Sequence, residues 1–369
     1  MNWTRLATAA LFVAAVPALA QNVPVRILAP APEQTVRGSV PISINAAAVP
    51  NTGYMTVEVN DQFMAALAKE PGAKKITFNW DTKANYADTG APPRDGQYTV
   101  RVKTYTSDFR FVRSNELNVY LRNRINVAAD KAIRLRYKFK PDDQISFVEK
   151  VSARAAGVDL YSAQVPVTLE INDVTGDVAE GTEKIAKTAV ESAQGSAQQP
   201  MALAGRRYLV YVHANGRVTP GPKMKKANVS PALSMVTLPN SPIRIGDTWN
   251  NDITITPYYQ GVTSASVAGT HKLVGLEYYG GRPAAKIEST YDGDATANVS
   301  GQDIKVHFKG TRTTFFDYMR GRLLRAEDTV STDFGVPGSS APTGNPYAGG
   351  GSTPGSGSSA SLTIITAAR

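Results

Sequence analysis

Alternation of apolar and polar residues with a period of two, in short runs broken by Gly, Asn, Asp or Pro, recurs along this chain from Val25 to Thr332 and restricts it to an all-β fold. In residues 40–46, Val40, Ile42 and Ile44 alternate with Pro41, Ser43 and Asn45. In residues 133–139, Ile133, Leu135, Tyr137 and Phe139 alternate with Arg134, Arg136 and Lys138. Such a run buries one face and wets the other, so it needs neighbours on both edges and a layer, or a curl of its own sheet, over the apolar side.

The runs fall into two groups. Residues 25–28, 40–46, 54–59, 63–66, 76–80, 98–105 and 114–121 are short and closely spaced, as in a β-sandwich; Asn60-Asp61 makes a hairpin of the third and fourth. From residue 132 the runs lengthen. Residues 133–139, 144–155 and 165–171 are expected strands; 207–213 turns back at Asn215-Gly216; 270–278 and 284–291 flank Gly280-Gly281; 304–316 and 323–332 flank Arg320-Gly321. Successive antiparallel hairpins predict one large curled sheet or half-barrel. The expected organisation is therefore a sandwich at 22–122, a short polar linker at 123–131 and an antiparallel β domain at 132–369. Residues 180–194 have helix-forming composition but a poor helical stripe, and are assigned to strand. Gly, Ser, Pro and Thr dominate 335–360, which predicts a disordered loop, after which 361–366 return to the sheet as a strand.

Residues 1–5 are a short basic start, 6–16 an almost wholly apolar run, and Ala18-Leu19-Ala20 a small-residue triplet before Gln21. That is the pattern of a secretory signal peptide over 1–20. The run is too short for a helix across about 30 Å of hydrocarbon, and no later stretch has the length for a transmembrane segment. The expected protein is exported, periplasmic or extracellular. It has no cysteine, which excludes disulfides, thiolate nucleophiles and Cys-ligated metals. The formal net charge of +9 is dispersed, which favours weak association with anionic envelope polymers or lipid headgroups and, without a concentrated basic segment, argues against nucleic acid.

Three pieces of the first group, Thr35-Val36-Arg37-Gly38, Trp80-Asp81-Thr82 and the run from Asp95 through Tyr98 to Val102, resemble the bacterial immunoglobulin-like domains of exported proteins. The resemblance implies a sandwich in which Tyr98 forms a tyrosine corner and Trp80 packs without an inter-sheet disulfide. Further on, Leu238-Pro239, the run from Pro242 through Gly246-Asp247 to Trp249, and the run from Gly281 to Ile287 resemble exported bacterial domains of unknown function, shaped like lipoprotein-carrier half-barrels. That implies an architecture and an envelope location, not a reaction.

No catalytic constellation is legible. His213, His271 and His307 stand alone, and no metalloprotease helix motif, nucleophile elbow or phosphate-binding loop occurs. Asp292, Asp294, Asn298 and Asp303 gather oxygen ligands without calcium-loop spacing, and Asp173 and Asp177 read as solvated turns. Lys223, Lys225 and Lys226 make the densest basic spot. No catalytic residue, metal or cofactor is assigned. A half-barrel wider than its side chains can fill leaves an apolar cleft for a small molecule. Its candidate lining is Leu135, Tyr137, Phe139, Tyr208, Val210 and Val212, with Trp249 as an anchor at a strand entry. The expected function is a non-enzymatic envelope or secreted protein with a binding or structural role, its partner an envelope polymer or an apolar small molecule. The alternatives are a polysaccharide hydrolase with an accessory immunoglobulin-like module, and an adhesin or surface-layer component.

Overall fold

The structure, a computed structural model, describes residues 24–86, 89–128, 130–155, 158–186, 189–192, 199–200, 205, 207–222, 235–255, 265–299, 302–333 and 359–368. The expected signal peptide, the basic spot at Lys223, Lys225 and Lys226, and all but the last two residues of the expected loop at 335–360 lie outside them. The fold is all-β, and the chain divides into two compact units, residues 1–122 and 123–369.

The first unit holds β1 (Ile27–Ala29), β2 (Gln34–Val36), β3 (Ser39–Asn45), β4 (Tyr54–Val59), β5 (Gln62–Ala68), β6 (Lys75–Asp81), β7 (Gly96–Tyr105) and β8 (Phe111–Leu121). They form a three-stranded sheet, β1-β3-β6, and a five-stranded sheet, β2-β8-β7-β4-β5. Alternation decides the packing: Val40, Ile42 and Ile44 from the small sheet meet Met55, Val57, Val59, Val100 and Val102 from the large one in a single core around Trp80. β2 pairs with β8 in parallel, so the chain changes sheets between β1 and β2. The Tyr98 hydroxyl donates to the Arg94 carbonyl at 2.8 Å, and the ring leans on Trp80 with centroids 5.7 Å apart.

The second unit holds β9 (Gln144–Ala155), β10 (Val158–Thr175), β11 (Val178–Ile185), β12 (Ala189–Ser192), β13 (Gln199–Pro200), β14 (Arg207–His213), β15 (Val218–Pro220), β16 (Thr248–Ile255), β17 (Ala265–Tyr279), β18 (Arg282–Val299), β19 (Gln302–Asp317), β20 (Arg322–Asp333) and β21 (Ser359–Ala368). All thirteen join one sheet, ordered β15-β14-β11-β10-β9-β21-β20-β19-β18-β17-β16, with β12 and β13 branching from β10. Two antiparallel meanders, β9 to β15 and β16 to β20, are thus stitched together by β21, which pairs with β9 on one side and β20 on the other. Of residues 180–194, 180–185 and 189–192 are strand, as expected from their failed helical stripe, and Ala186 lies outside both strands.

The sheet is curled into a half-barrel, and its inner face carries the core: Val165, Val167 and Leu169 of β10, Val210 and Val212 of β14, Ile253 and Ile255 of β16, Ile287 of β18 and Phe316 of β19 among others. One expectation fails. Residues 133–139 alternate like a strand but join no sheet; apart from one bridge between Ile133 and Ile243, they run extended and irregular. Their backbone groups go to separate partners: Ile133 N–H to the Ile243 carbonyl at 2.7 Å, Tyr137 N–H to Ala214 at 2.8 Å, and Lys138 N–H to Gly321 at 3.2 Å. A segment spread over two hairpin turns and a loop cannot keep the constant register of a ladder. Alternation survives because the segment still lies with one side on the core, where Leu135 and Tyr137 are buried. The expected linker is likewise tied down within this unit: Ile125 N–H donates to the Leu276 carbonyl and Tyr278 N–H to that of Asn123, both at 2.8 Å.

Candidate functional site

The two edges of the curled sheet, β15 and β16, line one groove of about 600 Å³. Gly216, Arg217, Val218 and Pro220 form one wall; Asn250, Asn251, Asp252 and Thr254 of β16, with Ser266, Ala268 and Gly269 of β17, form the other; Met235 and Thr237 lie between. The segment that carries Met235 ties the walls together. Its Leu238 N–H donates to the Asn215 carbonyl at 2.7 Å, and its Thr237 carbonyl accepts from Trp249 Nε1 at 2.9 Å. Gly216 is required here: its φ is +87°, and a Cβ would collide with the Val236 carbonyl and the Tyr137 ring.

Each of the seven residues predicted from sequence has a definite place. Leu135, Tyr137, Tyr208, Val210 and Val212 are buried in the core of the second unit, and Phe139 and Trp249 are partly buried against it. Tyr137 stacks on Phe139 with centroids 5.9 Å apart and meets Phe316 edge-on at 4.9 Å. Trp249, at the start of β16, stacks on His271 at 5.2 Å. The structure gathers all seven on one core, but none is among the groove-lining side chains; Trp249 stands behind the wall, holding Thr237.

Behind the groove lies a polar cluster that the sequence reading passed over. Arg312 of β19 and Asp328 of β20 face each other across paired strands, with Nε to Oδ1 at 2.6 Å and both side chains 1% exposed. The same guanidinium reaches the edge strand, donating through Nη2 to the Thr254 carbonyl at 3.0 Å. Burial works against the charge of Arg312, but Asp328, Tyr291 and Glu149 outweigh it and raise its pKa. Burial pushes the Asp328 carboxyl up while the guanidinium pulls the other way. Glu149 and Glu183 are buried on the same inner face. The Tyr291 ring crosses over Gly310, where any side chain would strike it, and burial followed by the Asp328 charge pushes its hydroxyl up. His271 is buried, bonds Ser289 Oγ through Nδ1 at 2.8 Å, and is pushed down to about 4, first by burial and then by Arg312. A signal for this cluster was present: Arg312 and Asp328 occupy the apolar phase of their strands, in step with Phe308 and Phe316 and with Ala326 and Val330.

The other titratable candidates are surface pairs. His307 contacts Asp294 at 2.8 Å and Asp292 at 3.1 Å, and Lys309 holds Asp292 at 3.0 Å and, ahead of His307, draws that carboxyl down. Asn298 and Asp303 are register partners in the β18–β19 hairpin. Among the described residues no group of three His, Asp or Glu side chains is placed to hold a metal ion, and no helix is long and apolar enough to cross a membrane. Comparison with known proteins finds no family model that matches the chain and no curated relative.

Proposed function

We propose that this is an exported protein of the cell envelope that works by binding, and that its second unit holds an apolar or amphipathic small molecule between the edges of its curled sheet. The observation that carries the reading is the convergence of β15, β16 and the 235–238 segment on one groove with mixed lining: Val218, Pro220, Met235 and Ala268 offer apolar surface, and Arg217, Asn250 and Asn251 offer polar anchors. Thr237, Asp252, Thr254 and Ser266 add further polar groups, so the groove suits an amphipathic molecule better than a wholly apolar one. No cofactor enters this reading.

The first unit serves as an immunoglobulin-like module. The change of sheet between β1 and β2, the parallel β2–β8 pair and the Tyr98 hydroxyl bond to Arg94 support that assignment. A polysaccharide hydrolase needs two carboxylates facing a bound chain. Among the described residues Asp252 is the one carboxylate that lines the groove, while Glu149, Glu183 and Asp328 are buried in the core, which favours the binding reading.

The test is to purify the protein from its exported pool, unfold it, extract with organic solvent and search for co-purified compounds by mass spectrometry. A stoichiometric apolar or amphipathic compound, lost when Ala268→Trp fills the groove, is the expected result. An empty wild-type protein, or a compound retained by the filled variant, overturns the groove assignment and moves attention to the adhesin reading of residues 22–122.

A further inference from the structure

At one end of the first unit, four aromatic rings gather on the outer side of the large sheet. Tyr54 and Tyr105 are cross-strand partners and stack with centroids 5.1 Å apart; Phe111, opposite Tyr105, meets it edge-on at 5.9 Å, and Phe109 meets Tyr54 edge-on at 6.0 Å. The two tyrosines are half-buried, but Phe109 is 78% exposed and Phe111 58%. Isolated exposed apolar residues need no explanation; a pair projecting from one hairpin turn on an aromatic base does.

The turn holds these rings out. Phe109 has φ +64°, a left-handed conformation that is costly for a bulky residue and persists where the surroundings fix it. The surroundings do so here. Thr106 N–H donates to the Arg110 carbonyl at 3.0 Å, Phe109 N–H to the Thr106 carbonyl at 3.1 Å, and Arg110 N–H to Thr106 Oγ1 at 3.1 Å, while the Thr106 hydroxyl bonds Asp108.

The charge around the tip is basic. Lys69 N–H bonds the Gly53 carbonyl beside Tyr54, and the Lys74 carbonyl accepts from Ala46, so the 46–53 and 69–75 loops share this end with the tip. These loops and the tip carry Lys69, Lys74, Lys75, Arg110 and Arg113 against Glu70 and Asp108; Arg110 pairs with Asp108 at 2.8 Å and Lys69 Nζ donates to the Val49 carbonyl at 3.0 Å, so Lys74, Lys75 and Arg113 supply most of the excess charge. Two apolar rings projecting from a convex turn amid excess positive charge match a surface that yields to the rings and is negative at its rim. We propose that the β7–β8 tip is a peripheral anchor for an anionic lipid bilayer, with Phe109 and Phe111 entering the interfacial layer and the basic residues meeting the headgroups.

The test is co-sedimentation of the chain from Gln21 onward, so that the apolar run at 6–16 contributes nothing, with vesicles of phosphatidylcholine alone and of phosphatidylcholine mixed with phosphatidylglycerol. Partition onto the anionic vesicles that falls as salt is raised is expected, with a loss of roughly tenfold for each of Phe109→Ala and Phe111→Ala, the scale of one buried phenyl ring. Phe109→Trp should retain binding, and unchanged thermal unfolding of all three variants shows that the loss is not one of fold. No partition, or partition that the alanine variants leave unchanged, overturns the proposal. So does capture of the wild type by purified cell-wall glycan, lost in the same variants while vesicles are ignored, which reassigns the tip to sugar stacking.

Discussion

Arg312 is charged with its side chain 1% exposed, sustained first by Asp328 2.6 Å away, with the Thr254 carbonyl accepting a second bond and the Glu149 charge adding to it. Removing one member leaves the other charge buried and uncompensated. Arg312→Met is expected to lower unfolding stability by about 3–5 kcal/mol, while Arg312→Met with Asp328→Leu recovers part of the loss, the buried Glu149 still lacking the cation; urea titration of the three proteins checks both. His271 gives a pH signature. Its folded pKa is depressed to about 4 from an ordinary 6.5, so between those values the unfolded chain binds more protons and stability falls as pH falls through that window. The contribution is roughly 3 kcal/mol, complete above the upper value and lost below the lower. In a His271→Asn variant, which keeps a partner for Ser289, the difference from wild type should shrink steadily from pH 7 to pH 4 when unfolding is followed at each pH.

At the scale of elements, period two located most of the strands that the structure describes, because a sheet with one face on a core imposes that period on any sequence, but β2, β13, β15 and β16 were not assigned from it. Residues 133–139 show the limit of the signal. Their alternation reports contact with a core on one side, and an extended segment makes that contact with or without strand neighbours; only the backbone partners, Ile243, Ala214 and Gly321, distinguish the two, and no side chain encodes them. The groove was illegible for a similar reason, since β15 and β16 come together only through the curl of all the strands between them. The polar cluster was legible in principle, as charged residues in the apolar phase of β19 and β20, but a strand read singly cannot show that Arg312 has Asp328 beside it. The segment is also a structural plug, with Tyr137 between Phe139 and Phe316. Tyr137→Ala should cost about 3–5 kcal/mol through the cavity it leaves. A smaller loss in denaturant unfolding would show that the segment packs loosely.

For the whole molecule, the decisive arrangement is the position of β21 between β9 and β20. Deleting residues 359–368 would strip a partner from each of these long strands and present two adjacent open edges, the hazard for edge-to-edge association. The truncated protein is expected to elute as aggregates in size-exclusion chromatography with light scattering, where the intact chain remains discrete. The same arrangement sets a clock. Ala155 finds its partner Ala360 only after roughly two hundred further residues have been made, so both meanders must wait, unjoined, for the last strand to leave the ribosome. For the export proposed above, such a delay would keep the sheet open while the chain is threaded outward as an extended polymer.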